Sequence, residues 1–376
     1  MKKPVTALAL AVSLATTLAA SLFAAPAALA DDREENHQTV IAAIGDWPYS
    51  QYLLDNAHLL TNSVNTDAAV DLVLHVGDLH SGSMPCTSAG TLPPISTSNP
   101  GWNAAVFHEF QQFKTPVVYT PGDNEWADCH KSKQKSSGHP MRELAAVRSL
   151  FFAKPGITLG REKHVMSQAE FFDRAHPEDS QFVENVMWKQ NEVVFVTLNI
   201  PGGSNDDTAL WTGIFKNDTL QATDRVARLP ANLRWLKAAF AMAKRHHAKA
   251  VVVAEQADLW DKEVGLTDTA PAALANYTPY VAELATQALA FERPVLLVNG
   301  DTHLFLADRP LADPTSQTGK YHNVAAVPNL QRLVVQGSTN DPGEWLRITI
   351  DPSTPEVFSW ANVPYCAHPS ADSCAQ

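Results

Sequence analysis

Four apolar stretches of the chain each lead into a Gly-Asp pair. They cover residues 40–44, 72–76, 117–120 and 295–299. A strand buried on both faces of a sheet reads as an unbroken apolar run, so we predict a buried strand at each of these positions. The glycine that follows allows the backbone to turn sharply at the end of the strand. The aspartates carried by the four turns are Asp46, Asp78, Asp123 and Asp301.

Helical and extended patterns alternate along the rest of the chain. Helices are predicted at residues 52–64, 103–113, 141–152, 233–245 and 277–291. Further strands are predicted at residues 190–200, 249–254, 330–336, 345–351 and 357–360. This alternation favours an α/β fold with βαβ connections. The closely spaced strands near the end of the chain predict an antiparallel end on a mixed sheet.

Three long segments, at residues 81–101, 129–140 and 201–230, have weak periodicity. Long loops within a compact domain are uncommon and are often functional. Each of the three lies near the end of a predicted strand. We interpret them as the walls of a cleft, with ordinary surface insertions as the alternative.

The first residues have the pattern of a secretory signal peptide. A positively charged start precedes an apolar stretch at residues 5–27, and a small-x-small cleavage motif follows at residues 28–30. We therefore predict a signal peptide at residues 1–30 and a single domain at residues 31–376. No later run approaches the roughly 20 apolar residues that span a bilayer. We expect an exported protein, periplasmic or secreted, with no membrane span after cleavage.

The chain is acidic, with a formal net charge of −12 at pH 7. Non-specific binding to nucleic acid needs a basic surface, so no nucleic-acid partner is expected. The local exception is a basic run of Lys131, Lys133 and Lys135. This run can attract a phosphate or a polyanion, and a solvated loop is the alternative.

Four cysteines in an exported chain favour disulfide bonds. Four cysteines allow three pairings. Cys366 and Cys374 are close enough in sequence to close a small loop. Cys86 and Cys129 each follow a Gly-Asp motif by a few residues, so they can meet if the motifs meet. Free buried thiols are the alternative.

Carboxylates delivered at four strand ends can converge on one cleft. Carboxylates that lie so close repel one another unless a cation or a proton neutralises them, which predicts a metal site. A single Gly-Asp after a strand is equally well explained as a helix cap or an Asx turn. Four of them in this order are better explained by shared chemistry.

The order of these motifs resembles that of the calcineurin-like metallophosphoesterase superfamily. Its motifs are an Asp at a strand end, Gly-Asp, Gly-Asn-His-Glu or Gly-Asn-His-Asp, a His after a strand, and Gly-His-x-His. The Gly-Asp-Trp sequence at residues 45–47 is also close to the first motif of its purple acid phosphatases. The resemblance covers nearly the whole chain after the signal peptide. It implies a four-layer α-β-β-α sandwich of two mixed sheets.

The resemblance also implies a function and a set of metal ligands. The function is metal-dependent hydrolysis of phosphate mono- or diesters through a metal-bound hydroxide, with a small phosphorylated molecule as substrate. Asp46 and Asp78 stand where the superfamily has aspartates, and His303 keeps the last histidine. Asp123 replaces an asparagine, and Asp301 replaces a histidine.

The fourth motif is expected after the strand at residues 249–254. Glu255 and Gln256 stand there in place of a histidine, and we take Gln256 as the ligand with Glu255 as the alternative. Tyr49 lies close to the first motif and is either an additional oxygen ligand or a packing residue. Oxygen ligands in place of imidazole favour Mg, Mn or Ca, in one or two ions, with Fe and Zn as alternatives.

Asn124 stands where the superfamily has the histidine that polarises the phosphate or assists the leaving group. We expect Asn124 to contact the phosphate and Glu125 to support the ligands from behind. A substitute general acid is then needed. His80 and His130 both lie on predicted cleft loops, and an unperturbed histidine titrates near neutral pH. For each of them, a packing or solvated histidine is the alternative.

The altered ligands leave two other hypotheses open. One is a catalytically degenerate relative that binds a ligand, a metal or a partner without turnover. The other is a purely structural Ca site that stabilises the loops. Added carboxylates leave less positive charge for a phosphate and make the ions weaker Lewis acids, so both hypotheses are consistent with the motifs.

Overall fold

The computed structural model describes residues 38–86, 101–206, 210–261, 272–340 and 343–365, together with residue 1. The predicted signal peptide and the predicted pair Cys366 and Cys374 lie outside these residues. His37–Gln376 forms one compact unit. In the part of the chain that the structure describes, no helix has both the length and the apolar character needed to cross a membrane.

The strands form two mixed sheets. Their bounds are β1 (Thr39–Ile44), β2 (Val70–His75), β3 (Pro116–Tyr119), β4 (Leu159–Gly160), β5 (Met166–Ser167), β6 (Val186–Gln190), β7 (Val193–Thr197), β8 (Ala250–Ala254), β9 (Val295–Asn299), β10 (Leu306–Asp308), β11 (Leu330–Val334), β12 (Glu344–Ile350) and β13 (Phe358–Pro364). The first sheet has six strands in the order β13-β12-β1-β2-β3-β4, and the second has seven in the order β10-β11-β9-β8-β7-β6-β5. The α/β class with mixed sheets is therefore confirmed.

The helices lie between these strands in sequence. Their bounds are α1 (Gln51–Asp55), α2 (Ala57–Thr66), α3 (Trp102–Phe110), α4 (Pro140–Phe151), α5 (Gln168–Phe171), α6 (Gly202–Asp206), α7 (Asp218–Arg245), α8 (Ala272–Ala275), α9 (Thr278–Phe291) and α10 (Gln317–Tyr321). Short 3-10 helices cover Ala127–His130, Ser132–Gln134, Pro177–Gln181 and Gly213–Phe215. The turn labelled α6 is left-handed, because Gly203, Ser204 and Asn205 have φ angles of 61°, 56° and 62°.

The strands that precede the Gly-Asp motifs are central in their sheets. In the first sheet β1 pairs parallel with β2 and antiparallel with β12, and β2 pairs parallel with β3. In the second sheet β7, β8, β9 and β11 run parallel. Every residue of β1, β8 and β9 is buried, as expected for strands covered on both faces. The parallel arrangement places the motif turns at the carboxyl edges of the sheets.

Three large apolar clusters among the described residues hold these elements together, and a fourth, small one contains Trp126, Ala127 and Leu144. One contains side chains from both sheets, including Ile41 and Leu74 from the first and Val252 and Leu296 from the second. A second joins the second sheet to α7 and α9. A third joins the first sheet to α1, α2, α3 and α4. Each sheet therefore contributes side chains to two different clusters.

The prediction of a loop at residues 201–230 is wrong from residue 218 onward, because α7 begins there. The side chain of Asn217 caps its first turn by accepting a hydrogen bond from the Leu220 N–H at 2.8 Å. Pro230 lies inside the helix, where proline normally interrupts helical hydrogen bonding. The buried ion pair between Arg228 and Asp224, one helical turn apart at 2.8 Å, stabilises the same stretch.

The two strands predicted at residues 330–336 and 345–351 do not form one antiparallel end. β11 pairs parallel with β9 in the second sheet, whereas β12 pairs antiparallel with β1 and β13 in the first. The segment between them crosses from one sheet to the other. Similar local patterns thus belong to different sheets, because strand pairing is decided by distant partners.

Candidate metal centre

Asp46 and Asp78 lie side by side because β1 and β2 are parallel neighbours. The Asp46 N–H donates to the Gly77 carbonyl at 2.9 Å, and the Trp47 N–H donates to the Asp78 carbonyl at 3.0 Å. Both aspartates are buried. Both also have left-handed backbone, with φ angles of 50° and 60°. The turn geometry therefore directs two carboxylates into one space.

Asp301 and His303 bring the second sheet to the same place. They follow β9, and their φ angles are 78° and 62°. The Asp301 N–H donates to both carboxylate oxygens of Asp46, at 3.2 and 3.1 Å. Left-handed backbone is uncommon for residues other than glycine and is often retained at functional sites. Together with Asp46 and Asp78 they make four residues with left-handed backbone, which indicates that the site constrains the chain here.

Asp46, Asp78 and His303 form the first group of donors. Each offers one ligand atom, and the three atoms lie within 4.8 Å of one another. His303 Nε2 is 3.1 Å from Asp46 Oδ1. The hydroxyl of Tyr49 lies among them, 3.2 Å from Asp46 Oδ1, 3.0 Å from Asp78 Oδ2 and 3.2 Å from His303 Nε2. Tyr49 is thus placed where an additional oxygen ligand would be.

Asp123, Asp301 and Gln256 form the second group of predicted ligands. A Cβ atom built at Gly202 would lie 2.7 Å from Asp123 Oδ2 and 3.0 Å from Asp301 Oδ1, so these two carboxylates approach the same point. Asp301 Oδ1 accepts a hydrogen bond from Gln256 Nε2 at 3.1 Å, and Asp301 Oδ2 accepts one from the Asp258 N–H at 3.1 Å. Gln256 Oε1 in turn accepts from the Gly202 N–H at 2.6 Å. The oxygen of Gln256 is therefore engaged, and its NH₂ group faces the carboxylates.

The electrostatics of the cleft are dominated by buried carboxylates. Burial raises the pKa of Asp78 well above its usual range, and the charges of Asp123, Glu125 and Asp46 raise it further. Burial and the charge of Asp123 likewise raise the pKa of Asp301. Burial also raises the pKa of Asp123 to about 7. The negative charge of these groups is therefore costly in the absence of a cation.

Lysine and arginine do not neutralise this charge by direct contact. Among the described residues, none of the ion pairs joins a lysine or arginine to Asp46, Asp78, Asp123 or Asp301. Buried charges are normally paired or bound to a metal ion. The donor set is therefore one that a divalent cation fits: oxygen-rich, buried, and completed by an imidazole.

Asn124 is held in a fixed orientation beside Asp78. Its N–H donates to Asp78 Oδ1 at 3.1 Å, and its side-chain Nδ2 donates to Asp78 Oδ2 at 2.8 Å. Gln134 Nε2 donates to Asn124 Oδ1 at 3.1 Å and so fixes which way the amide points. The buried carboxylate of Glu125 accepts hydrogen bonds from the Tyr119 hydroxyl at 2.8 Å and the Gly122 N–H at 3.1 Å, which holds the turn.

The predicted pairing of Cys86 with Cys129 is confirmed. The two cysteines form a disulfide bond with a Cα–Cα distance of 5.8 Å across 43 residues of sequence. The Cys86 N–H also donates to Ser137 Oγ at 2.7 Å. These contacts hold the segment after β2 against the segment that carries Asn124.

His80 and His130 are both buried and do not line the cleft. Burial lowers the pKa of each to about 4. His80 Nδ1 is 3.2 Å from the Ser81 carbonyl, and His130 Nδ1 accepts from the Thr212 N–H at 3.3 Å. These surroundings favour packing roles, and a general-acid role for either stays a prediction. Glu255 is also buried away from the cleft, and burial raises the pKa of its carboxyl group.

The donors open onto a cavity of about 330 Å³. Its lining combines predicted ligands with polar loop residues. The described lining residues are Tyr49, Asp78, Ser81, Gly82, Ser83, Asp123, Asn124, Lys133, Asp301, His303 and Thr339. The predicted ligands Asp46 and Gln256 are buried and contact these residues from behind.

Three residues that contact the predicted site residues were not predicted from the sequence. Gln134 fixes the Asn124 amide, and the Asp258 N–H bonds to Asp301. Thr339 Oγ1 lies 2.5 Å from His303 Nδ1, within hydrogen-bond distance. Each is a polar residue near a motif or a turn, but only the contact across the cleft gives it a role.

Comparisons with known proteins leave the family open. No protein-family profile matches the chain, and no curated protein sequence matches it. Among solved structures, one match is described as "GAP50 the anchor in the inner membrane complex of Plasmodium". It has a TM-score of 0.39 and 10% sequence identity, over 87% of this chain and 89% of that chain. Similarity at this level carries no conclusion about function.

Proposed function

We propose that this protein is an exported, metal-dependent phosphoesterase with the calcineurin-like metallophosphoesterase architecture. In this proposal the two sheets pack face to face, with helices outside them in four layers. One observation carries it: Asp46, Asp78 and His303 converge within 4.8 Å. They converge in a cleft where no lysine or arginine among the described residues forms an ion pair with Asp46, Asp78, Asp123 or Asp301.

The two groups of donors have different parts in this proposal. Asp46, Asp78 and His303 would hold the first divalent ion, with Tyr49 beside it. Asp123 and Asp301 would hold a second ion more weakly. When bound, such ions polarise phosphate oxygens and lower the pKa of water. Mg, Mn or Ca is favoured because the donors are mainly oxygens, with Fe or Zn as alternatives.

The chain's own residues position the substrate. Hydrolysis adds a water oxygen to phosphorus and breaks the bond from phosphorus to the ester oxygen, which leaves with a proton. Asn124 lies beside Asp78, and its Nδ2 also donates to the Tyr49 hydroxyl at 3.2 Å. A phosphate oxygen that replaced this hydroxyl would accept the same N–H. Gln134 holds the Asn124 amide in the required orientation. Glu125 acts at one remove, because it keeps the turn that carries Asp123 and Asn124 in place.

Export is part of the proposal and rests on two observations. The start of the chain has the pattern of a signal peptide. The disulfide between Cys86 and Cys129 is of a kind that persists in oxidising compartments. Mass determination of the protein recovered from the periplasm or the medium is expected to show loss of residues 1–30.

Turnover is tested with generic phosphomonoesters and phosphodiesters in the presence of Mg, Mn, Ca, Fe or Zn. We expect hydrolysis with at least one of these ions and none in the presence of a chelator. Circular dichroism on the same samples shows whether the protein is folded. Folded protein that turns over neither class of ester with any ion contradicts the enzymatic proposal.

A second candidate function is binding of a cation and an anion without turnover. The position of Tyr49 favours it, because the phenol hydroxyl lies among the three donors of the first group. A binding protein of this kind takes up a divalent ion and orthophosphate but hydrolyses no ester. Replacing Tyr49→Phe then leaves turnover at zero, whereas an enzyme changes its rate.

A further inference from the structure

Lys133 is the only lysine or arginine among the described residues that line the cleft. Its ammonium group approaches Gly82, where a built Cβ atom would lie 2.9 Å from Lys133 Nζ and 2.7 Å from Asn124 Oδ1. The side chain of Lys133 is 58% exposed. The Lys133 ammonium group is thus at the edge of the cleft, next to Asn124 and in contact with solvent.

The charge of Lys133 is only loosely compensated within the protein. Its nearest acidic partner is Asp128, whose Oδ2 is 3.7 Å away. Asp128 already has a closer contact through its other oxygen, which is 2.5 Å from Lys131 Nζ. Because the Lys133 side chain is exposed to solvent and the separation is long, this ion pair contributes little stability. Lys133 can therefore turn towards a ligand at low cost.

If the proposed function holds, the balance of charge in the cleft indicates a role for the Lys133 ammonium group in binding the substrate. Asp46, Asp78, Asp123 and Asp301 together supply four negative charges when ionised. Two divalent ions would cancel these charges and leave no net attraction for an anionic substrate. An anion that enters the cleft then finds its remaining positive charge at Lys133. Long-range attraction from a cleft-lining charge also speeds encounter with an anion.

Asn124 separates Lys133 from the buried donors. Its Nδ2 faces Asp78, whereas its Oδ1 faces Gln134 and the Gly82 side. A phosphate bound beside Asp78 would face Asn124 Nδ2, whereas the Lys133 ammonium and Asn124 Oδ1 both approach Gly82. The group that reaches Lys133 is a different part of the substrate from the group that is hydrolysed.

We propose that Lys133 binds a second anionic group of the substrate. Ser81 and Ser83 lie beside it in the lining, and their hydroxyl oxygens are 3.0 Å apart. One hydroxyl donates to the other, so the pair has one hydroxyl hydrogen left to donate to an anion. The preferred substrates are therefore phosphate esters that carry another phosphate or a carboxylate near the scissile phosphate. The site combines a charged donor with a neutral one, as anion sites in proteins commonly do.

The proposal is tested with two phosphonates that differ in one group. Propylphosphonate and 3-phosphonopropanoate have chains of equal length, but only the second ends in a carboxylate. Calorimetric titration into protein loaded with Mn²⁺ measures their binding without turnover. We expect 3-phosphonopropanoate to bind about tenfold more tightly, the value typical of one hydrogen bond to a charged group.

Variants assign the preference to Lys133. Lys133→Met should reduce it to less than about twofold, and Lys133→Arg should retain it. Lys135→Met is the matched control, because it removes the same charge from the same segment but from a residue outside the described lining. Thermal unfolding shows that each variant is folded.

The outcomes separate this proposal from the proposed function. Equal binding of the two phosphonates by the unaltered protein contradicts the role of Lys133 and leaves the phosphoesterase proposal standing. A preference that survives Lys133→Met, or that Lys135→Met also removes, contradicts the assignment to Lys133. Binding of neither phosphonate by Mn²⁺-loaded protein contradicts both proposals.

Discussion

The two groups of predicted metal ligands in the cleft differ in the hydrogen bonds that their ligand atoms already make within the protein. In the first group, His303 and the carboxylates of Asp46 and Asp78 lie close to one another and to the hydroxyl of Tyr49. In the second group, both oxygens of Asp301 accept hydrogen bonds from N–H groups, and the oxygen of Gln256 is engaged by Gly202. The first group therefore has more ligand capacity left for a cation.

The difference in hydrogen bonding between the two groups corresponds to how closely each group matches the motifs expected from the sequence. Asp46, Asp78 and His303 are the residue types that the resemblance leads one to expect, whereas Asp301 stands where a histidine is expected. A neutral imidazole has one acceptor nitrogen, but a carboxylate has two oxygens and a charge. The amide groups around Asp301 satisfy that extra capacity. We therefore expect any ion at the second group to bind more weakly than one at the first.

The largest expected effect is that of Asp78→Asn. Asp78 belongs to the first group, and burial and the charges of Asp123 and Asp301 in the second group raise its pKa. Its loss should therefore weaken divalent-ion binding at least about a hundredfold and abolish turnover. Calorimetry and metal analysis measure the first effect, and an ester assay measures the second. The metal-free variant should unfold at higher temperature than the unaltered protein, because a buried and unpaired charge has been removed.

A matched control for Asp78→Asn is Glu162→Gln. Glu162 is exposed and its contact with Lys154, at 2.9 Å, is also exposed. It should leave ion binding, turnover and melting temperature unchanged. Ion affinity that is equal in the two variants means that Asp78 is not a ligand.

Gly122→Ala is expected to destabilise the protein by pushing against Asp78, a member of the first group. A Cβ at residue 122 would lie 2.0 Å from Asp78 Oδ1 and 2.5 Å from the Asp78 nitrogen. The Asp78 side chain can rotate away, but its backbone nitrogen cannot. The turn that carries Asp78 and the turn that carries Gly122 must therefore move apart. The expected loss is about 1–3 kcal/mol in the free energy of unfolding, measured by urea denaturation. A variant as stable as the unaltered protein would show that the turns are loosely packed.

Asp301→Asn should have a smaller effect than Asp78→Asn on ion binding. Asparagine keeps the shape of the side chain and one acceptor oxygen but removes the charge. We expect affinity for the second ion to fall about tenfold, with the first ion retained at the first group. Titration with Mn²⁺ followed by electron paramagnetic resonance counts the bound ions. Loss of all bound Mn²⁺ would show that the two groups act as a single site.

The pH dependence of metal-free protein tests the same buried carboxylates without a substitution. The pKa of Asp123 is raised from its ordinary value of 3.8 to about 7 by burial. Between these two pH values the unfolded chain has released the proton and the folded protein has kept it, so rising pH favours unfolding. The melting temperature in chelator should therefore fall by a few degrees from about pH 4 to pH 7. An added divalent ion should reverse the loss at pH 7 and above.

Acid conditions provide the control for this effect. Protons compete with the cation for the same carboxylates, so an added ion should change the melting temperature little at pH 4. Stabilisation by the ion that is equal at pH 4 and pH 7.5 would place its binding site elsewhere.

Local pattern was sufficient to predict the strands that build the site. The apolar runs before Asp46, Asp78 and Asp301 are β1, β2 and β9, and their burial follows from composition alone. The meeting of Cys86 with Cys129 also followed from the expectation that the motifs converge. These features depend on residues that are adjacent in sequence or tied to a motif.

Other features depended on partners that sequence pattern does not reveal. β11 and β12 look alike locally, yet they pair with strands of different sheets. The first half of α7 was missed because its polar residues, including Arg228 and Asp224, are buried by pairing with one another. Gln134 likewise has a role only because Asn124 lies opposite it. Contacts between distant segments decide each of these cases.

The most direct test of the central claim is the divalent-ion content of purified protein. Folded protein, equilibrated with Mn²⁺ and Mg²⁺ and then freed of unbound ions, is analysed by mass spectrometry of the elements. The account predicts at least one tightly bound ion per chain, held by Asp46, Asp78 and His303. Folded protein that retains no divalent ion would contradict it.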